Sequence, residues 1–283
     1  MKLTVLGSGS PEAYARRASS GYLIEIDGQR ILFDCGGGVM DRLLQAGLLP
    51  SDIDILFFSH LHSDHMIDYA RLVHAAWDEG GKPLRVYGPK PIADITEKLF
   101  GRDGALAHDL VARTELKGSQ EVWLSRGGTL PRPWPAPQVT EVEPGFSFDG
   151  GTWTLDSCTV PHAQPHLTCM AFALRAHGRK FVYSGDAGIT DEFEAFLRDA
   201  DFLLHWCYRL SDQTDVSDFF RSVAPTPIEI AQMAQRNGVG QLLLTHFRKH
   251  MDGAKGHKSA LQEMSDAFSG PSSIAEDLDT FVI

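Results

Sequence analysis

His60-Leu61-His62-Ser63-Asp64-His65 sets three imidazoles and one carboxylate within six residues. The run follows an apolar stretch, residues 53–58, that reads as a buried strand, and it precedes a helical stripe carrying Met66, Ala70, Val73 and Trp77. A strand-to-helix turn lets these side chains aim at one point from several directions. Neutral imidazole and carboxylate are the donors that Zn²⁺ and similar divalent ions take. Twelve histidines are spread over 283 residues, and chance rarely packs three of them so tightly. The turn reads as a metal site.

The same arrangement recurs along the chain. The apolar run 155–160 ends at Pro161-His162, the run 180–183 at Ser184-Gly185-Asp186, and the run 241–245 at His246. Each delivers a candidate ligand at the C-terminal end of a strand, where open sheets gather their chemistry. A lone histidine of this kind is more often a satisfied core residue, but four in one context favour a shared site. His166 rivals His162 from four residues on, although His162 follows the strand directly. His74, His108, His177, His250 and His257 lie in helical or loop text and read as surface or satisfied histidines.

Lys and Arg number 26 against 37 Asp and Glu, a net charge of −11, and 43% of residues are hydrophobic. Such a chain buries a full core. Its charge argues against gripping nucleic acid or an anionic membrane overall, yet leaves room for a local cationic centre. The first six residues run straight into Gly7-Ser8-Gly9-Ser10, too short for a signal peptide. No apolar run nears the ~18 residues of a membrane span. With four scattered cysteines, a cytoplasmic setting is expected. Strand-rich and helical text alternate twice, as two packed sheets with outer helices would require. Asp27-Gly28 marks a hairpin turn. Thr226-Pro227-Ile228-Glu229 is a capping box that opens a helix. Residues 1–283 read as one domain, with an irregular insertion or lid at about 102–144 that includes the Trp/Pro-rich segment 131–137.

The His-x-His-x-Asp-His motif at 60–65, followed in order by His162, Asp186 and His246, resembles the metallo-β-lactamase superfamily from Gly7-Ser8-Gly9 to His246. The resemblance implies an α/β fold, the αββα sandwich in which two mixed sheets pack together beneath outer helices. It also implies two divalent metal ions, zinc first, with manganese or iron as alternatives. His60, His62 and His162 would hold one ion, Asp64, His65 and His246 the other, and Asp186 both. Leu32-Phe33-Asp34-Cys35-Gly36-Gly37-Gly38, Val86-Tyr87-Gly88-Pro89 and Leu244-Thr245-His246-Phe247 look most like the ribonuclease Z and cyclic-phosphodiesterase branch. Asp34 matches a position that orients a ligating histidine; the plainer reading is an Asp at a strand–turn boundary.

Three departures from ribonuclease Z bear on function. That family follows its bridging Asp with a strand ending in a His-Glu pair, whereas residues 202–204 here lead into His205-Trp206. A second histidine begins its capped helix, and Ala224 stands there instead. Asp186 comes only 24 positions after His162, too few for the long tRNA arm of many relatives. A dinuclear metal hydrolase is therefore expected, its metal-bridging hydroxide attacking a small-molecule ester, lactone or cyclic phosphodiester, with Asp64 among the catalytic groups. A ribonuclease Z-like phosphodiesterase or nuclease is the alternative, and an iron-dependent redox member a third. His205, His166 and Tyr208 are candidate proton donors, and Trp206 and Tyr208 candidate pocket walls. The expected partners are a small-molecule substrate and at most a second copy of the chain, with nucleic acid and membrane set aside.

Overall fold

Most strand residues are apolar on both faces, and the computed structural model, which describes residues 1–283, accounts for both. The strands are β1 (Lys2–Gly7), β2 (Gly21–Ile26), β3 (Gln29–Phe33), β4 (Ile55–Phe57), β5 (Arg85–Gly88), β6 (Gln138–Glu141), β7 (Ser147–Asp149), β8 (Trp153–Thr159), β9 (Met170–Ala176), β10 (Arg179–Tyr183), β11 (Phe202–Trp206), β12 (Leu242–Thr245), β13 (Ser272–Ile274) and β14 (Thr280–Val282). They form two seven-stranded sheets, ordered β14-β1-β2-β3-β4-β5-β6 and β13-β12-β11-β10-β9-β8-β7. In the first, β14 through β3 pair antiparallel and β3 through β6 parallel. In the second, β7 through β10 pair antiparallel and β10 through β13 parallel. The two halves thus repeat one mixed topology.

Helices α1 (Val39–Gln45), α2 (Ser63–Met66), α3 (Tyr69–Asp78), α4 (Ile92–Phe100), α5 (Ala107–Glu115) and α6 (Lys117–Ser125) accompany the first sheet. The second carries α7 (Asp191–Leu197), α8 (Asp218–Val223), α9 (Pro227–Arg236) and α10 (Ala254–Ala267). Alternation along each strand sorts the side chains into layers. Phe33, Phe57, Phe172, Phe181, Tyr183 and Leu204 meet between the sheets. Leu32, Leu56 and Val86 point outward to Leu43, Leu72 and Ile92 of α1, α3 and α4. Ala173, Val182, Leu203 and Leu244 point outward to Phe193, Ile230 and Met264 of α7, α9 and α10. Burying one such large side chain contributes about 1.5–3 kcal/mol, and the product is the αββα sandwich.

Two local expectations need revision. The single helix read from Met66 to Trp77 is broken at Ile67-Asp68, because Asp68 turns its carboxylate onto the Gly38 and Met40 amides. Residues 102–144, expected as an irregular insertion or lid, contain α5, α6 and β6. This segment packs on α3: Arg132 lies over the rings of Trp77 (3.8 Å) and Trp123 (4.4 Å) and pairs with Asp78 at 2.8 Å. It contributes no residue to the cavities at the site described next.

Candidate metal centre

Every candidate ligand sits just beyond a strand end. After β4 the chain turns through Ser59 and His60, His62 stands before α2, and the one-turn helix presents Asp64 and His65. His162 follows β8, Asp186 follows β10 and His246 follows β12. His246 adopts left-handed backbone (φ 65°), as does Asp34 (φ 58°) after β3. Non-glycine residues rarely hold that conformation, and those that do concentrate at functional sites. Gly36 is required by close approach, since a Cβ there would lie 2.0 Å from the Asp64 carbonyl oxygen. Gly185 (φ +55°) similarly lets the chain pass Met170 and Ser59 before Asp186.

The structure brings all seven side chains together. His60 Nε2 and His162 Nε2 lie 3.0 and 3.2 Å from His62 Nδ1. His246 Nε2 is 3.1 Å from Asp64 Oδ2 and 3.4 Å from Asp186 Oδ2. His65 Nε2 is 3.6 Å from Asp64 Oδ2 and 3.4 Å from Asp186 Oδ1, and His162 Nε2 is 3.6 Å from Asp186 Oδ2. A tetrahedral zinc ion with bonds of about 2.0–2.1 Å spaces its ligand atoms about 3.3–3.4 Å apart. Within each of two groups, His60/His62/His162 and Asp64/His65/His246, the donor atoms all lie within 4.8 Å of one another, with Asp186 beside both. His65 Nε2 and Asp186 Oδ1 are buried without a hydrogen-bond partner, a costly state unless an ion satisfies them. The residues fit a pair of divalent cations.

Asp34 organises this cluster from beneath. Its carboxylate accepts from the Tyr183 hydroxyl (2.7 Å), the Ser59 hydroxyl (2.7 Å) and amide (2.8 Å), and His65 Nδ1 (2.8 Å). Engaging Nδ1–H there turns the Nε2 lone pair of His65 toward the centre. Electrostatics divide the imidazoles. Burial, reinforced by His65, holds His60 well below the ordinary imidazole range, and burial pushes His162 down to about 4. Burial opposes charge on Asp186, but His246 and His65 outweigh it and hold the carboxyl well below its usual value. Burial likewise opposes charge on His65, yet Asp186 and Asp34 raise it well above the normal range. Carboxylates that draw a proton to His65 in this way would draw a cation as well.

Two cavities open on either side of Asp64. One, of about 230 Å³, is lined by His62, His162, Trp206, Tyr208, Phe219 and Phe220 among others. The other, of about 540 Å³, runs past Pro11, Arg17, Gly37, Arg42 and Ser63. Trp206 and Tyr208 thus lie where the sequence suggested a pocket wall. Two proton-donor candidates do not reach it. His205 neighbours Trp206 on β11 and so faces the opposite side of the sheet; it is fully buried, with Nδ1 bonded to the Trp206 carbonyl and its ring against Phe193. Burial pushes it down to about 4. His166 is exposed on the β8–β9 loop and lines neither cavity. Sequence reasoning missed Phe219 and Phe220. Their signal was Ser217, an N-cap whose hydroxyl accepts from the Phe220 amide and starts a short helix with two adjacent aromatic residues.

Comparison with known proteins adds to this geometry. The family described as "Beta-lactamase superfamily domain" matches residues 29–247. Ribonuclease Z of Mycobacterium sp. (strain KMS) is 31% identical over 263 residues, covering 87% of this chain and 84% of the relative. The metallo-beta-lactamase fold protein YhfI from Bacillus subtilis is similar in structure, with a TM-score of 0.76, 25% identity and 99% of each chain covered. The short form of human tRNase Z shares the fold at a TM-score of 0.71 and 20% identity, with 100% of this chain and 99% of that one covered. The sequence relatives overturn the expectation of a small-molecule substrate with nucleic acid set aside, because they are named ribonuclease Z. The physical error was one of averaging. A charge of −11 describes the whole surface, whereas a substrate meets a cleft whose sign would be set by any ions its donors hold.

Proposed function

The chain belongs to the beta-lactamase superfamily, in its ribonuclease Z-like branch, and is a metal-dependent hydrolase; from this premise we propose that it cleaves phosphodiester bonds of RNA. The observation that carries the reading is the meeting of seven donor side chains at strand ends, between two cavities that would take the two arms of a diester. His60, His62 and His162 would hold one divalent cation, Asp64, His65 and His246 a second, and Asp186 would touch both, with zinc the first candidate. Once bound, such ions supply a water of lowered pKa and offset the negative charge that gathers on phosphoryl oxygens.

The chain's own groups do the remaining work. Asp34 keeps the His65 proton on Nδ1, away from the centre. Trp206, buried with its indole nitrogen donating to the Ala187 carbonyl at 2.6 Å, excludes water from one flank. Neither a glutamate nor a histidine serves the leaving oxygen, since Trp206 and the buried Ala224 stand at those positions. Tyr208 lines the cavity, and burial raises its hydroxyl above the ordinary phenol range, so it keeps a proton to give. The four buried, unpaired cysteines support a reducing, cytoplasmic setting, and no helix is long and apolar enough to cross a membrane.

Bis-p-nitrophenyl phosphate tests the reading. Zinc- or manganese-loaded protein is expected to hydrolyse it, and EDTA to stop the reaction. Tyr208→Phe should spare this good leaving group while slowing cleavage of RNA, whose alkoxide needs a proton. Turnover of aryl esters and lactones without turnover of any phosphodiester would refute the proposal.

A further inference from the structure

We propose that Trp206, Tyr208, Phe219 and Phe220 form a stacking subsite for the nucleobase adjoining the attacked phosphodiester. The inference rests on the phosphodiesterase reading and specifies one arm of its substrate. The cavity bounded by these rings has about 230 Å³ and shares its floor with His62, His162 and His246. It is smaller than pockets for drug-sized ligands, so it suits one flat ring system and excludes a duplex. Whatever fills it lies next to the metal donors.

The rings form a prearranged wall leading away from the centre. The Trp206 ring meets those of His162 (5.1 Å) and His246 (5.5 Å) nearly edge-on. Tyr208 then stacks on Trp206, with centroids 5.6 Å apart and planes 25° from parallel, and Phe220 meets Tyr208 at 6.3 Å and 67°. Two contacts lock the wall before any ligand arrives: the Trp206 bond to Ala187 and the Arg248 guanidinium 4.9 Å from the Tyr208 centroid. Little side-chain entropy is then lost when a planar group docks. Phe219 completes the rim with 64% of its surface exposed. A large aromatic exposed at the lip of an aromatic cavity lacks a partner within the chain, and a planar ligand supplies one. The wall carries almost no polar edge to read base identity. It should therefore accept every base, purines somewhat better than pyrimidines for their larger face.

Titration calorimetry of zinc-loaded protein with adenosine 5′-monophosphate and ribose 5-phosphate tests the subsite, because both carry the sugar phosphate and only the first carries a base. The nucleotide should bind about 5- to 150-fold more tightly, corresponding to ~1–3 kcal/mol for one stacked base. In Phe219→Ala/Phe220→Ala that advantage should nearly vanish while ribose 5-phosphate binds as before. Phe219→Ala alone, at an exposed position, keeps the test available if the double variant folds poorly, and should remove part of the advantage. Equal binding of the two ligands by the wild type overturns the subsite, even if RNA is cleaved. A retained base advantage without phosphodiesterase activity leaves the subsite standing and sinks the reading on which its role depends. Failure of both ligands to bind at millimolar concentration also counts against it.

Discussion

Asp34 is the residue on which the centre's internal order turns. It touches no proposed ion, yet it receives four hydrogen bonds and fixes the tautomer of His65. Asp34→Asn keeps the size and loses the charge. Metal affinity, measured by chelator competition, should fall about 10- to 100-fold, while the circular dichroism of the metal-free protein stays unchanged. Unaltered affinity would assign Asp34 a packing role alone. At this scale the sequence was informative where chemistry is contiguous. Six residues at 60–65 carry four proposed ligands, and each remaining one closes an apolar run. His205 was misjudged because adjacent residues of a strand point to opposite faces, and sequence does not say which face holds the site. Histidines without a role found ordinary partners, as His74 with Asp109 at 3.2 Å and His177 with Asp27 at 3.1 Å.

Among the elements, the capped helix α9 was legible and helices α5 and α6 were not. Pro227 opens α9 and Glu229 caps Thr226, as that stretch of sequence predicted. Helix α6 buries none of its residues, so it lacks the apolar stripe by which a helix is recognised. Its hold on the fold comes from the Arg132 guanidinium between Trp77 and Trp123, reinforced by Asp78 and by the Trp77 indole donating to the Pro133 carbonyl. Arg132→Ala should lower the unfolding free energy by about 2 kcal/mol, read by urea denaturation, and leave the phosphodiesterase rate unchanged. A large loss of rate would show that this segment does reach the substrate. The aromatic wall on α8 escaped notice for a related reason: Phe219 and Phe220 look like core residues until the cavity they share with Trp206 is seen.

Across the whole molecule, the sequence carried the layered architecture but not the matched topology of its two halves, which depends on pairings far apart in the chain. One such long-range tie joins the first loop to the last turns. Buried Arg17 donates to Asp252 and Glu276 at 2.8 Å each, and Asp277 receives the Ser8 and Ala18 amides. Burial opposes charge on Asp252, but Arg17, Tyr14 and His257 outweigh it and hold its carboxyl down at about 2, against 3.8 when unperturbed. A depressed carboxylate stabilises the fold above its unfolded value and ceases to do so as the pH falls through its folded value. Asp252 should therefore contribute fully above about pH 4 and lose its contribution between about pH 4 and pH 2. Asp252→Asn should flatten that part of the stability curve measured by thermal melts; an unchanged curve would contradict the assignment. At this scale the proposed activity is phosphodiester cleavage at a metal centre. Its most direct test is gel analysis of single-stranded RNA incubated with zinc-reconstituted protein, with and without EDTA. EDTA-sensitive cleavage, abolished by Asp186→Asn, is the predicted result; intact RNA in the presence of fully metal-loaded enzyme would contradict it.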